Sequence, residues 1–489
     1  MRKFLIILLI LIFLFFIYCF FFKKGGCCIP SASMKADSTK TVAHWINWNL
    51  LLTSNSVGDS TQIIKEFEDS LNKYVKSFNP SANLTFIYHH CPCDSLLTNM
   101  DATLVYGSGN SVPPPPVKPT LGPKGDYTIG NNFNMYIPAY SDTNTFDTSN
   151  IKKYSVRMNV DFGSPVVRPG SGAKYKVLAV IDTGLDSALF NYSFPQTIWA
   201  GNLLWQDAGK STLYDVVVDE PTGTLIDGIS GLSSKVVKHG TAVTEIALTQ
   251  IYARRRNRIP QIMSIRAFDD SEKGSIYTVS CAMSYAIQHK VDYINASWGY
   301  FGQEDSVLKR YIGLANENDI RIIAAAGNTP GKHDPTKICA TTNIANLTNN
   351  LDKILKDDTI LFYPACFAPH FKNLVSVTQM DLPVMTATPV ATLDLLPCFY
   401  QNYSSNYITV GAFEPPTTQS SNPCCSFKIP FLLQNIEGSS FATPAMTAVF
   451  MSGLPEGQDI KPWIRSNAPH MSSSKYTDGG FYFEFRTIP

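Results

Sequence analysis

The chain predicts a doubly wound α/β fold, a mostly parallel sheet with helices on both faces, preceded by a small α/β module. Three observations predict it. Short continuous apolar runs recur from Tyr175 onward, helical stretches lie between them, and a Pro/Gly-rich break separates this body from a compact N-terminal region. A strand buried on both faces of a parallel sheet reads as an unbroken apolar run. Strands alternating with helices then give a sheet whose functional site lies beyond the strands' C-terminal ends.

The elements follow in order. Residues 1–24 form an apolar segment, Phe4 to Phe22, between Arg2-Lys3 and Lys23-Lys24. Its 19 residues would span about 28 Å as a helix, close to a bilayer's hydrocarbon thickness. An uncleaved membrane anchor is the first expectation. Cleavage near Ser31-Ala32-Ser33 and lipidation at Cys19, Cys27 or Cys28 remain open. Each route makes the protein extracytoplasmic, anchored or secreted.

Residues 41–106 read as the small α/β module. Ile63, Ile64, Phe67, Leu71, Tyr74, Val75 and Phe78 recur at helical spacing, with Asp59 or Ser60 available to cap the helix. Leu84–His89 and Thr103–Tyr106 read as strands. Residues 107–127, which include Pro113-Pro114-Pro115-Pro116, form a semi-rigid linker and a domain boundary.

The main domain is expected over 128–470, with its core at 175–450 and a C-terminal extension at 471–489. Its strands are Val177–Ile181, Ile262–Ile265, Val291–Ala296, Ile320–Ala326 and Leu374–Val377. Thr278–His289 and Asp305–Asn318 read as helices between them.

Composition narrows the function. Without the four basic residues that flank the apolar segment, 36 basic residues face 39 acidic ones. No polyanionic partner is called for. The run Arg254-Arg255-Arg256-Asn257-Arg258 lacks interleaved aromatics, so it reads as a solvated loop or helix end, and nucleic acid is not an expected partner. Of the 11 cysteines, Cys339–Cys366 and Cys398 with Cys424 or Cys425 are the pairings considered, with connectivity open. His89-His90-Cys91-Pro92-Cys93-Asp94 offers ligand types suited to zinc or copper. Four ligands within six residues seldom reach tetrahedral geometry, so a strand end with paired or free cysteines is expected, and no metal site.

Acyl transfer by a serine needs a hydroxyl, an imidazole, a carboxylate to hold the imidazole, and donors for the oxyanion. Asp182 follows the first buried strand. His239 opens His239-Gly240-Thr241 ahead of an apolar helix. Ser440 sits in Gly438-Ser439-Ser440-Phe441-Ala442-Thr443-Pro444, and Asn328 ends the strand Ala324–Gly327. Singly, each reads as a turn residue or cap. Together and in order, they point to catalysis.

These segments resemble the subtilisin-like serine proteases (subtilases, peptidase family S8), whose motifs run Asp, His, Ser along the chain. Val180-Ile181-Asp182-Thr183-Gly184, His239-Gly240-Thr241, Ala325-Ala326-Gly327-Asn328 and Gly438–Pro444 carry the resemblance. Asp292-Tyr293-Ile294-Asn295-Ala296-Ser297-Trp298-Gly299 is similar to the strand whose end binds substrate backbone. The resemblance implies an exported serine endopeptidase with polypeptide substrates and an Asp182–His239–Ser440 triad. It also implies an Asn328 oxyanion donor and substrate-binding positions at Ser297, Trp298, Gly299, Ala325 and Gly327. The small residues at Ala324–Gly327 leave room for a large apolar substrate side chain, with Trp298 as one wall. No cofactor is required, and structural calcium is not predicted. The N-terminal module would act as a propeptide-like, self-inhibiting domain, and the first segment would contact membrane.

Four departures stand out. Ala242 replaces a second histidine, Ser439 replaces threonine, Ser187-Ala188-Leu189-Phe190 replaces the usual continuation after Asp182, and Tyr407–Phe413 lacks Ala-Pro-Gly. They leave one rival reading, a catalytically silent homologue that serves as a surface binding or scaffold protein.

Overall fold

A computed structural model describes residues 40–52, 60–91, 93–107, 127–136, 176–184, 214–215, 239–254, 260–268, 272–328, 361–381, 396–397, 401–413, 427–429, 434–436, 438–471 and 476–484. The chain divides into two compact units: residues 1–46, 65–86 and 102–119, and residues 47–64, 87–101 and 120–489. Among the described residues no helix is long and apolar enough to cross a membrane. The apolar segment Phe4–Phe22 lies outside the described residues.

The N-terminal elements are β1 (Lys40–Leu52), α1 (Ser60–Phe78), β2 (Asn83–Cys91), β3 (Asp94–Gly107) and β4 (Tyr127–Asn131). Their sheet runs β2-β3-β1-β4, with Trp48–Leu52 antiparallel to β4. The helical spacing read from the sequence is realised in α1. Phe67, Leu71 and Val75, each four residues from the next, form its buried face, and Val75 packs with Ala82 and Leu104.

The chain continues through β5 (Asn134–Tyr136), β6 (Val177–Asp182), β7 (Tyr214–Asp215), α2 (His239–Arg254), β8 (Gln261–Arg266) and β9 (Lys273–Ser275). Next come α3 (Ile276–Gln288), β10 (Tyr293–Ala296), β11 (Tyr300–Gly302), α4 (Ser306–Glu317), β12 (Arg321–Ala325) and β13 (Leu361–Tyr363). The last elements are β14 (Leu374–Asp381), β15 (Leu396–Pro397), β16 (Val410–Phe413), β17 (Phe427–Ile429), β18 (Gln434–Ile436), α5 (Ser439–Gly453), α6 (Ile460–Asn467) and β19 (Tyr482–Glu484).

The main sheet runs β19-β16-β14-β12-β10-β6-β8-β7, with β15 paired to β14. Every pairing along that path is parallel. The chain enters the sheet at β6, moves outward to β8, then crosses to β10 on β6's other side. This reversal makes the β6/β10 boundary the topological switch point.

Alternation along the strands divides the core in two. In β6, Ala179 and Ile181 face α3 and α4, whereas Leu178 and Val180 face α2, α5 and α6. Each face is therefore covered by helices, which is why the strands read as unbroken apolar runs. Helix ends are anchored where the sequence offers caps. Ser275 and Thr278 form a reciprocal capping box on α3, and the Asp305 carboxylate accepts from the Val307 and Leu308 amides, both at 2.9 Å, on α4.

One cysteine pairing lies outside those considered: Cys91 is bonded to Cys281, within the larger unit. Cys339, Cys398, Cys424 and Cys425 lie outside the described residues. Cys91 does end a strand, as read. It finds its partner on α3, to which no local spacing could point.

Candidate active site

The site is assembled at the C-terminal ends of β6, β10 and β12 and the N-terminal ends of α2 and α5. Asp182 closes β6, and its backbone oxygen accepts from the Ala267 N–H at 2.9 Å, continuing the β6–β8 ladder. Its carboxylate accepts from the Thr183 N–H at 2.8 Å and meets His239 Nδ1 at 2.9 and 3.0 Å. The Asp182 and His239 side chains are both 1% exposed.

His239 opens α2 and is carried over the turn after β6. The Gly240 N–H donates to Thr183 Oγ1 at 2.9 Å, and a Cβ at Gly240 would collide with the Gly184 carbonyl. Glycine after the histidine therefore permits the approach that brings imidazole to carboxylate. Burial alone would push the His239 pKa down. The Asp182 charge and hydrogen bond outweigh it, with a further contribution from Glu272, so the net shift is upward from 6.5. The bond to Asp182 points Nε2 the other way.

Ser440 lies in the first turn of α5, and the neighbouring Phe441 ring stands 4.9 Å from the imidazole. Ser440 Oγ and His239 Nε2 are both buried and make no hydrogen bond. Pro444 lies four residues on and has no N–H, so the Ser440 carbonyl lacks its intrahelical donor. Ser297 Oγ supplies one instead, at 2.6 Å, and itself accepts from Asn295 Nδ2 at 2.8 Å.

Asn328 is oriented by the residue before Ser440. Its Oδ1 accepts from the Ser439 N–H at 3.1 Å and from Ser439 Oγ at 3.0 Å. A backbone N–H only donates, which fixes the oxygen on that side and aims Nδ2 the other way. Ser439 Oγ also accepts from the Gly327 N–H at 3.0 Å. The hydroxyl is thus what this position contributes, and serine in place of threonine keeps it. Asn402 braces the same segment, donating from Nδ2 to the Ala326 carbonyl at 2.7 Å and from its N–H to the Gly327 carbonyl at 3.1 Å.

Asp182 and His239 are brought into hydrogen-bond contact, Ser440 and Asn328 are joined through Ser439, and the Phe441 ring lies tilted beside His239. The five positions read as substrate-binding are all nearby and buried. Ser297 holds the Ser440 carbonyl, Gly327 holds Ser439, Ala325 pairs with Val377 in the sheet, and Gly299 lies against Phe362. Trp298, 1% exposed, packs in the core beside Phe268. Ala242 joins the apolar core beneath α2, so loss of the second histidine is absorbed by packing. The sequence gives no signal for the brace at Asn402 or the field from Glu272. Both act from segments distant in the chain.

Among the described residues one group of metal-ligating types converges, Cys91, Cys93 and Cys281. Two of these are joined as a disulfide, so the sulfurs are not available together as thiolates. Cys93 Sγ lies 3.3 Å from Cys91 Sγ and 3.7 Å from Cys281 Sγ, and His90 Nδ1 meets Thr98 Oγ1 at 3.0 Å.

A doubly wound sheet presenting a carboxylate–imidazole pair, a helix-borne serine and an oriented amide defines the serine-peptidase class of site. The subtilase family model matches residues 174–456, more than half of the chain, and the protein belongs to that family of serine proteases. No curated protein matches the chain in sequence. Among solved structures it is similar to fervidolysin from Fervidobacterium pennivorans, a keratinolytic enzyme related to subtilisin. That likeness has 16% identity and a TM-score of 0.47, and covers 90% of this chain and 62% of that one. It is also similar to the epidermin leader peptide processing serine protease of Staphylococcus aureus, with 14% identity and a TM-score of 0.45, covering 90% and 96% of the two chains. A cold adapted subtilisin-like serine proteinase matches at 17% identity and a TM-score of 0.35, covering 65% and 94%.

Proposed function

We propose that the protein is an exported serine endopeptidase that hydrolyses peptide bonds through Asp182, His239 and Ser440. One observation carries the reading: a buried His239 held through Nδ1 by Asp182, with Nε2 left for the Ser440 hydroxyl. His239 takes the proton from Ser440 Oγ as it attacks the scissile carbonyl. Asp182 keeps the ring in the required tautomer and stabilises its cation. Asn328 Nδ2 and the Ser440 N–H donate to the tetrahedral oxyanion. The proton passes to the leaving amine, and water then releases the acyl-enzyme.

Export is supported by the apolar segment Phe4–Phe22 and by a disulfide between Cys91 and Cys281, since such bonds persist in oxidising compartments. Residues 41–106 serve as a propeptide-like inhibitory segment, with processing in 107–127. Labelling by a fluorophosphonate probe tests the activity. The purified protein is expected to be labelled, and Ser440→Ala to lose the label. A folded, processed sample that takes up no probe would overturn the reading in favour of a non-catalytic homologue.

A further inference from the structure

Judged by residue size, Ala324–Gly327 leave space beside Ser440 for a large side chain. That space is filled from within the chain. β13 carries Phe362, 2% exposed, whose ring lies against two glycines that flank the site. A Cβ at Gly299 would collide with Phe362 Cε1 and Cζ, and one at Gly327 would lie 2.7 Å from its Cγ and 2.8 Å from its Cδ1. Gly327 also holds a φ of +90°, a conformation that favours glycine.

Both glycines adjoin the nucleophile. The Gly327 N–H is bonded to Ser439 Oγ, and Ser297, just before Trp298 and Gly299, is bonded to the Ser440 carbonyl. The ring is fixed from behind as well. Phe362 is paired with Phe301 across the β11–β13 ladder, and their rings meet edge-on at 4.9 Å.

We infer that Phe362 closes the pocket for the substrate side chain preceding the scissile bond, so that the enzyme cleaves after small residues such as glycine, alanine or serine. This rests on the proposed peptidase reading. In an open parallel sheet the ligand occupies the crevice beyond the strands' carboxyl ends. For Ser440 to attack a carbonyl whose oxygen meets Asn328, the substrate backbone must cross the ends of β10 and β12. The side chain on that carbonyl's residue then points between Gly299 and Gly327, where the Phe362 ring already lies. A benzyl-sized group would have to displace a buried aromatic ring, whereas a hydrogen or methyl would not.

The test uses the full chain and peptide substrates that differ only in the residue before the scissile bond. Wild type is expected to favour alanine over phenylalanine by about 100-fold in kcat/KM. Phe362→Ala is expected to move that ratio toward phenylalanine by about 10-fold or more. Phe362→Leu, which keeps the core filled, should fall between them and serves if the alanine variant does not fold. A wild type that takes up fluorophosphonate yet cleaves after phenylalanine or leucine as fast as after alanine would overturn the pocket assignment alone. A wild type that takes up no probe would overturn the peptidase reading itself.

Discussion

A histidine that acts as a base must be neutral when substrate arrives, and His239 is held in surroundings that favour its charged form. Burial opposes the proton, but Asp182 and then Glu272 draw it back, so the pKa sits above 6.5. Activity is therefore expected to rise with pH through a pKa displaced upward from the ordinary imidazole value. The acid limb of kcat/KM is expected above pH 6.5, and Asp182→Asn should move it to lower pH while reducing kcat by about 10⁴. A pH–rate profile of both proteins checks this, and a wild-type limb below pH 6 would contradict it. Much of the candidate site was legible in the sequence, because Asp182, His239, Asn328 and Ser440 each sit in a short segment of recognisable local pattern. The partners that tune them were not. Ser439 looked like a departure from pattern, and the two hydrogen bonds of its hydroxyl, with Gly327 and Asn328, follow only from the fold.

At the scale of elements, α5 carries a proline in its second turn and tolerates it because the residue just after β10 supplies the missing donor. Ser297 is that donor, and its hydroxyl is in turn positioned by Asn295, whose Oδ1 accepts from Thr447 Oγ1 at 3.1 Å. Ser297→Ala leaves the Ser440 carbonyl buried and without this bond. A stability loss of about 1–3 kcal/mol is expected in urea unfolding, together with a reduced kcat from a less well fixed nucleophile. Unchanged stability and rate would show the bond to be dispensable. Elements were legible where burial imposed a long signature. β6, β8, β10, β12 and β14 are apolar runs, and α3 and α4 match the predicted spans to within two residues. Strands of two or three residues, such as β7, β15 and β17, are too short for any period to register. The contact of Phe362 with Gly299 was likewise illegible, since it joins segments with a long stretch of chain between them.

Across the whole molecule, the sequence anticipates a large parallel body preceded by a small α/β module, and the structure has both. The boundary in space is less simple than the boundary in sequence, because residues 47–64 and 87–101 belong with the larger unit. Cys91 is in that second group, and its bond to Cys281 spans a sequence separation of 190. By chain entropy, closing so long a loop stabilises the folded state by about 5 kcal/mol.

Considered as a graph, backbone and disulfide together make a ring with two tails, and one cut in a ring does not yield two pieces. Scission anywhere in 107–127 falls inside that ring. The nicked product is then a two-chain protein, heavier than the precursor by one water if no residues are trimmed. Electrophoresis is expected to show it as a single species without reductant and as two fragments with reductant, whereas Cys281→Ser should separate under both conditions. Two fragments from the nicked wild type in the absence of reductant would rule out the ring. Under the proposed processing, peptide-bond cleavage and departure of the N-terminal part would be separate events, one under the control of a serine and the other of a sulfur–sulfur bond.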